Sequence, residues 1–179
     1  MVSDDRKSHT HCVMVAKKAQ GICGLILRHL SSRNIEIYKK AFVSLVRPIV
    51  EYASSVWSPY SIHDVNLIES VQRTYTRRVF RKCKLPPVNY ENRLRKLELD
   101  TLEVRRVKAD LVLTYKIVKG LIDLPEGEYY RRSARSTIRS CKFTSTTQPR
   151  DEPSKHCFSY RTAPIWNAIP LNIIQSPSL

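Results

Sequence analysis

Between Ile37 and Tyr60 the apolar positions recur at helical spacing. Tyr38, Phe42, Leu45 and Ile49 stand at i, i+4, i+7 and i+11, one face of a 3.6-residue period. Pro48 lacks a backbone donor and crowds the turn before it, so the pattern predicts a kink or stop near Arg47. Tyr52, Val56 and Trp57 follow, closed by the turn-forming Ser58-Pro59. Upstream, Val15, Ala19, Ile22, Ile26 and Leu30 trace a second stripe, with Lys17, Lys18 and Arg28 on its solvent side. The polar stretch from Met1 to His11 is expected to fray. Asn34 reads as the N-cap of the Ile37 helix, where Glu36 suits the positive end of the dipole.

Downstream, Ser61 reads as an N-cap with Asp64 three residues on, in capping-box fashion. Val65, Ile68, Gln72, Tyr75 and Val79 follow at helical spacing. On the opposite side Arg73, Arg77 and Arg81 stand one above another, flanked by Arg78, Lys82 and Lys84. Pro86-Pro87 ends that helix. Asn89 caps a short helix predicted over 90–97. Asp100, with Glu103 as its N3 partner, caps the last strong one, whose buried face is read as Val104, Val107, Leu111, Tyr115 and Val118. Gly120 sits where a C-terminal glycine belongs.

These stripes predict an all-α fold: a small helical bundle over residues 1–125, with four or five helices between Val13 and Gly120 around one core, and a basic, loosely ordered tail over 126–179. Tyr38, Phe42, Leu45, Trp57, Ile68, Tyr75, Leu111 and Tyr115 are the expected core. In the tail, Tyr129 to Arg161 holds eight basic residues against two acidic ones and shows no sustained period. A short segment, Phe158 to Ile169, is expected to dock back through Trp166 and Ile169.

Charge changes the picture most. Lys plus Arg number 31 against 16 Asp plus Glu, a net charge of +15 over 179 residues. Solubilising surfaces usually mix signs and keep net charge small, so the excess points to a polyanion, nucleic acid first. The five cysteines, Cys12, Cys23, Cys83, Cys141 and Cys157, are scattered with no CxxC. With no signal peptide in view, free thiols in a reducing, intracellular setting are expected, in nucleus or cytoplasm rather than secreted. His9, His11 and Cys12, and His156 with Cys157, lack a second pair at zinc-finger spacing, so no metal site is expected. No cofactor motif is present, and no apolar run is long enough to span a membrane.

The order of short runs carries a resemblance. It begins with Tyr38-Lys39-Lys40, Leu45-Val46-Arg47-Pro48-Ile49-Val50-Glu51-Tyr52-Ala53 and Val56-Trp57-Ser58-Pro59-Tyr60. Then come Ile68-Glu69-Ser70-Val71-Gln72-Arg73, Tyr90-Glu91-Asn92-Arg93-Leu94, Thr101-Leu102-Glu103 with Arg105-Arg106, and Asp110-Leu111 with Tyr115-Lys116-Ile117. Phe158-Ser159-Tyr160-Arg161 and Ile165-Trp166-Asn167 with Ile169-Pro170 complete the series. Together these resemble the region downstream of the polymerase palm in reverse transcriptases of non-LTR (LINE-type) retrotransposons.

The resemblance implies a thumb: a helical bundle that holds the template–primer duplex beside the palm, whose fingers and palm the sequence does not contain. Polymerase catalysis needs paired carboxylates for two metal ions. The adjacent aspartate pair, Asp4-Asp5, lacks the flanking hairpin of a catalytic turn, so no catalytic residue and no enzyme activity of its own are expected. Arg73, Arg77, Arg78, Arg81, Lys82 and Lys84 are the candidates for phosphate contact, with the missing palm and fingers as a further partner. Arg105, Arg106 and Lys108 are weaker candidates, being offset by Glu103 and Asp110. Two other readings stay open at this point: a helical module that docks proteins, and a decayed transposon reading frame without autonomous function.

Overall fold

The computed structural model describes residues 3–123, 126–132, 143–145 and 155–174, and they are overwhelmingly helical. By compactness the chain divides into two units, Met1–Arg106 and Val107–Leu179. The division falls upstream of the composition change past Pro125.

Two long helices, α1 (Ser3–His29) and α5 (Ile62–Lys82), pack together to make the first core. Helix α1 is already formed at Ser3 and runs through His11, so the stretch expected to fray is helical from its third residue. It buries Cys12, Ala16, Ala19, Cys23 and Ile26, the first four small enough to let α5 approach. Helix α5 answers with Ile68, Val71, Tyr75, Val79 and Phe80.

The centre of this core is the segment on which the sequence stripe was strongest. Helix α2 (Ile35–Ala41) is capped as expected, Asn34 Oδ1 accepting from the Glu36 N–H at 2.9 Å. It does not stop before Pro48. It widens into a π-helical turn (Phe42–Val46), in which Arg47 N–H reaches back to the Phe42 carbonyl, and continues as α3 (Arg47–Glu51) with Pro48 near its start. The wider turn is how the helix passes the missing donor and the ring of Pro48. It also changes which face is buried. Tyr38, Phe42, Val46 and Val50 are fully buried, a spacing of four throughout, while Leu45 is 54% exposed, against the expectation that it is core. Four-residue steps drift by about 40° each on a regular α-helix; the extra residue in the π turn offsets much of that drift.

Phe42 stacks on Tyr75 with ring centroids 4.9 Å apart, and the Tyr75 hydroxyl donates to the Tyr38 carbonyl at 2.8 Å. The Tyr38 hydroxyl donates in turn to the Leu30 and Ser32 carbonyls at 2.8 and 2.9 Å, tying off the end of α1. Trp57, on the short α4 (Ser54–Trp57), is half-buried at the edge of this core; its indole N–H donates to the Tyr52 carbonyl at 2.7 Å.

Three helices end the same way. After α5, α6 (Tyr90–Leu97) and α7 (Leu102–Val118), the N–H groups of Leu85, Leu99 and Leu121 reach back to the carbonyls of Phe80, Leu94 and Lys116. Each closure is a Schellman motif with one left-handed residue: Lys84 (φ 56°), Glu98 (φ 51°) and Gly120 (φ 63°). Gly120 was legible as such, whereas Lys84 and Glu98 hold the position without glycine's freedom.

Helix α6 has the predicted bounds and cap, Asn89 Oδ1 accepting from Asn92 N–H at 2.9 Å. Helix α7 is capped by Thr101, not Asp100: the Thr101 hydroxyl accepts from Val104 N–H at 3.2 Å. Its inward stripe runs Leu102, Arg106, Asp110, Thr114 and Ile117, so Val104, expected inside, is exposed.

In the second unit, a helical turn α8 (Glu126–Tyr129) leads into strand β1 (Tyr130–Arg132), which pairs antiparallel with β2 (Phe143–Ser145), Tyr130 opposite Ser145. Helix α9 (Phe158–Asn167) and the turn α10 (Leu171–Ile174) complete it. Trp166, Ala163 and Ile174 bury themselves with Tyr115, Ile117 and Tyr130, and Ile169 packs against this cluster, so the Trp166 segment does pack on the second half of α7. Thr114, Tyr130 and Thr162 join their hydroxyls in a buried chain of 3.0 and 2.7 Å links. Arg135, Arg139, Lys142, Arg150 and Cys141 of the basic stretch lie outside the described residues. No helix among the described residues is long and apolar enough to cross a membrane.

Candidate nucleic-acid interface

The polar residues shared by the short runs meet one another inside the first unit. Glu69, buried on α5, accepts from Leu102 N–H through Oε2 at 2.9 Å and from the Tyr90 hydroxyl through Oε1. Gln72, one turn on, donates to the same Tyr90 oxygen at 3.0 Å and to the Asp100 carbonyl at 2.9 Å. A carboxylate therefore sits at the first amide of α7, where the dipole favours it, and the α6–α7 loop is fastened to α5. Burial and the hydrogen bond to Glu69 both push the Tyr90 hydroxyl above the usual tyrosine pKa.

Of the weaker sequence candidates, Lys108 is exposed on α7, while Arg105 and Arg106 are turned inward. The Arg105 guanidinium forks onto the Glu51 carboxylate, Nη2 lying 2.8 Å from Oε2, and Arg106 is buried. In the second unit Arg161 holds both Asp110 oxygens, at 2.9 and 3.2 Å, and donates to the His156 carbonyl at 2.8 Å.

What remains on the outside is the arginine row. Arg73, Arg77 and Arg81 are exposed on α5, and Arg78 stands beside them. Among the described residues, none of the four forms an ion pair with a carboxylate, so the row is not a face of paired charges. Arg73 lies over the Tyr90 ring, 5.3 Å from its centroid, and Arg93 lies 5.5 Å from the same ring. A planar cation on an aromatic face loses part of its rotational freedom before any ligand arrives. Arg77 and Arg81 rim a cleft of about 350 Å³ whose apolar wall is Phe80, Leu85, Pro87 and Val88, with Arg93 at its base. Arg93 is fixed there by donating to the Val88 carbonyl at 2.6 Å. Burial depresses its pKa, and the neighbouring Arg77 and Arg73 charges add to that effect.

Two candidates stand differently. The Lys82 ammonium donates to the Leu27 carbonyl in the last turn of α1, so it closes that helix end. Lys84 is exposed but occupies the left-handed closure of α5. Asp4 and Asp5 stand in the opening turns of α1, on a helix rather than a hairpin.

The described molecule is thus a helical bundle with one exposed arginine face. Comparison with known proteins adds a single point. The chain is 25% identical to the uncharacterized protein B0403.1 of Caenorhabditis elegans over 124 residues, which cover 69% of this chain and 63% of that protein. No family model and no solved structure matches.

Proposed function

We propose that this chain is a thumb-like part of a non-LTR retrotransposon reverse transcriptase, which binds template–primer duplex through its phosphates and has no catalytic site of its own. The observation that carries the reading is the exposed Arg73-Arg77-Arg81 row. Its guanidiniums span about 12 Å of helix, enough to meet successive phosphates. Arg78 and Lys84 extend the positive face. Such contacts fix position on a duplex without reading its sequence. The setting would be intracellular, nucleus or cytoplasm, where such templates exist.

A second partner is supported by Tyr52, Val56 and Ile62, which are 81, 86 and 80% exposed around the short α4. Large apolar groups left outside within a few residues of one another suit a docking face, and in this reading the palm and fingers occupy it. The competing reading, a module that docks proteins while its charge is incidental, draws on the same three residues.

Salt separates the two. Phosphate binding weakens steeply with ionic strength, and an apolar interface does not. The measurement is duplex affinity across a salt series for the wild type and for Arg73→Gln/Arg77→Gln/Arg81→Gln. Both are made in a background where Arg131, Arg135, Arg139 and Lys142 are Gln, to silence the basic tail. Affinity should fall for every duplex sequence, and the slope of log K against log salt should shrink by about 0.9 for each phosphate no longer neutralised. Equal binding by both proteins would reduce the row to a solvated face.

A further inference from the structure

Away from the arginine face, α1 and the first turn of α5 bring together three groups that the sequence keeps far apart. His9, His63 and Asp64 each offer one ligand atom, and these atoms all lie within 4.8 Å of one another. His9 Nδ1 is 2.6 Å and His63 Nδ1 is 3.4 Å from the same oxygen, Asp64 Oδ1. The Asp64 side chain is only 9% exposed, against 46% for His9 and 73% for His63. Together they line a recess of about 390 Å³ that opens to solvent beside Ser8 and Ser61.

We propose that His9, His63 and Asp64 bind one divalent transition-metal ion of the zinc class, with water completing its coordination. Two imidazoles and one carboxylate are a donor set for zinc, cobalt or nickel, whereas magnesium and calcium take oxygen ligands throughout. Metal–ligand bonds of 2.0–2.2 Å in a tetrahedral arrangement place ligand atoms about 3.3 Å apart. The His63–Asp64 pair stands at that spacing already, at 3.4 Å, and the His9 ring must swing out by less than 1 Å from its present 2.6 Å. The rings of His9 and His63 lie 5.3 Å apart and are tilted by 48°, with their Nδ1 atoms turned to the same carboxylate oxygen. Asp64 supplies the negative charge that makes a cation tolerable near a helix N-terminus. No spacing rule could have found this site: His9 and Asp64 are 55 residues apart, and α1 and α5 must pack before they meet.

The rival explanation is a plain His9–Asp64 ion pair, in which His63 is a bystander. His63→Gln therefore decides, since an exposed side chain can be replaced without disturbing the core. The reduced 179-residue chain is titrated with Co2+, then with Zn2+, and absorption spectra are recorded. We expect one Co2+ per chain, visible bands of nitrogen and oxygen ligation, no thiolate-to-cobalt charge transfer, and displacement by Zn2+ but not by excess Mg2+. His63→Gln should weaken binding at least about tenfold and abolish the rise in Tm that Zn2+ gives the wild type. His11→Gln, whose ring packs on Trp57 with centroids 4.9 Å apart, should bind as the wild type does. Unchanged binding in His63→Gln, a thiolate band, or no saturable binding below millimolar Co2+ would each overturn the assignment.

Discussion

Glu69 has three tasks at once: it is buried in the first core, it accepts the Leu102 amide, and it accepts the Tyr90 hydroxyl. Truncating it leaves two buried donors without an acceptor, each worth about 1–3 kcal/mol. Glu69→Ala should therefore cost about 2–6 kcal/mol, and Glu69→Gln about half as much because one acceptor survives. Urea midpoints check this, with exposed Glu91→Ala as the reference; a Glu69→Ala loss no larger than the reference would mean the network contributes little. The residue scale is also where sequence reading was weakest. Ser61 takes its N-cap position but makes no side-chain bond there, and the Asp64 carboxylate, which a capping box would turn back onto the Ser61 N–H, is held by His9 on another helix. Thr101 caps α7 in place of Asp100, and the Arg106, Asp110 and Thr114 stripe turned Val104 outward. The His9–Asp64 contact spans 55 residues, so a window of neighbouring residues holds no trace of it, whereas the Thr101 cap is local and competes with an equally good N-cap residue one position earlier.

Elements were far more legible. Their apolar periods gave the existence and order of the helices, and α6 was read to the residue, since an asparagine cap and a short stripe are both local signals. The arginine row was legible for the same reason, being a matter of i, i+4, i+8 alone. That Tyr90 would stack on Arg73, or that Lys82 would close α1, required the packed structure. Helix ends yield a further test. Lys84 closes α5 at φ 56°, where a side chain costs about 1–2 kcal/mol relative to the right-handed region. Glycine removes that cost but adds unfolded-state freedom worth about 0.4–1 kcal/mol. Lys84→Gly should thus stabilise by up to about 1 kcal/mol in thermal melts, and Lys84→Val should destabilise. A loss on Lys84→Gly would show that the lysine stem contributes packing beyond its backbone geometry.

At the scale of the whole molecule, several acidic groups are locked away in neutral form. Burial pushes the Cys12 thiol up to about 11 and the Cys23 thiol up to about 12, and it raises the Tyr38, Tyr75 and Tyr90 hydroxyls as well. The unfolded chain releases these protons first, so each group's contribution is intact below its unfolded pKa and is lost as pH climbs towards the folded one. For the two thiols that window opens at about 9 and closes at about 11 to 12. The slope is about 1.4 kcal/mol per pH unit for each group while only the unfolded state is ionised. Urea midpoints measured from pH 8 to 11 should fall, and Cys23→Ala should flatten the fall although it costs some packing at pH 8. A wild-type midpoint that stayed level across that range would mean these groups reach solvent.

The π turn before Pro48 has a consequence for how this chain is compared with others. Such a turn is one residue more than an α-helix needs, so it marks a place where a residue can be gained or lost while both flanks keep their faces. With Ser44 left out of the count, Tyr38, Phe42, Val46 and Val50 fall at steps of four, three and four, the stripe of an ordinary helix. An alignment that forbids an insertion between Phe42 and Val46 will therefore set the buried stripe of this segment against the solvent side of a relative that has none. The matching of Val46 and Val50 with the inward positions of such a relative depends on admitting that one residue.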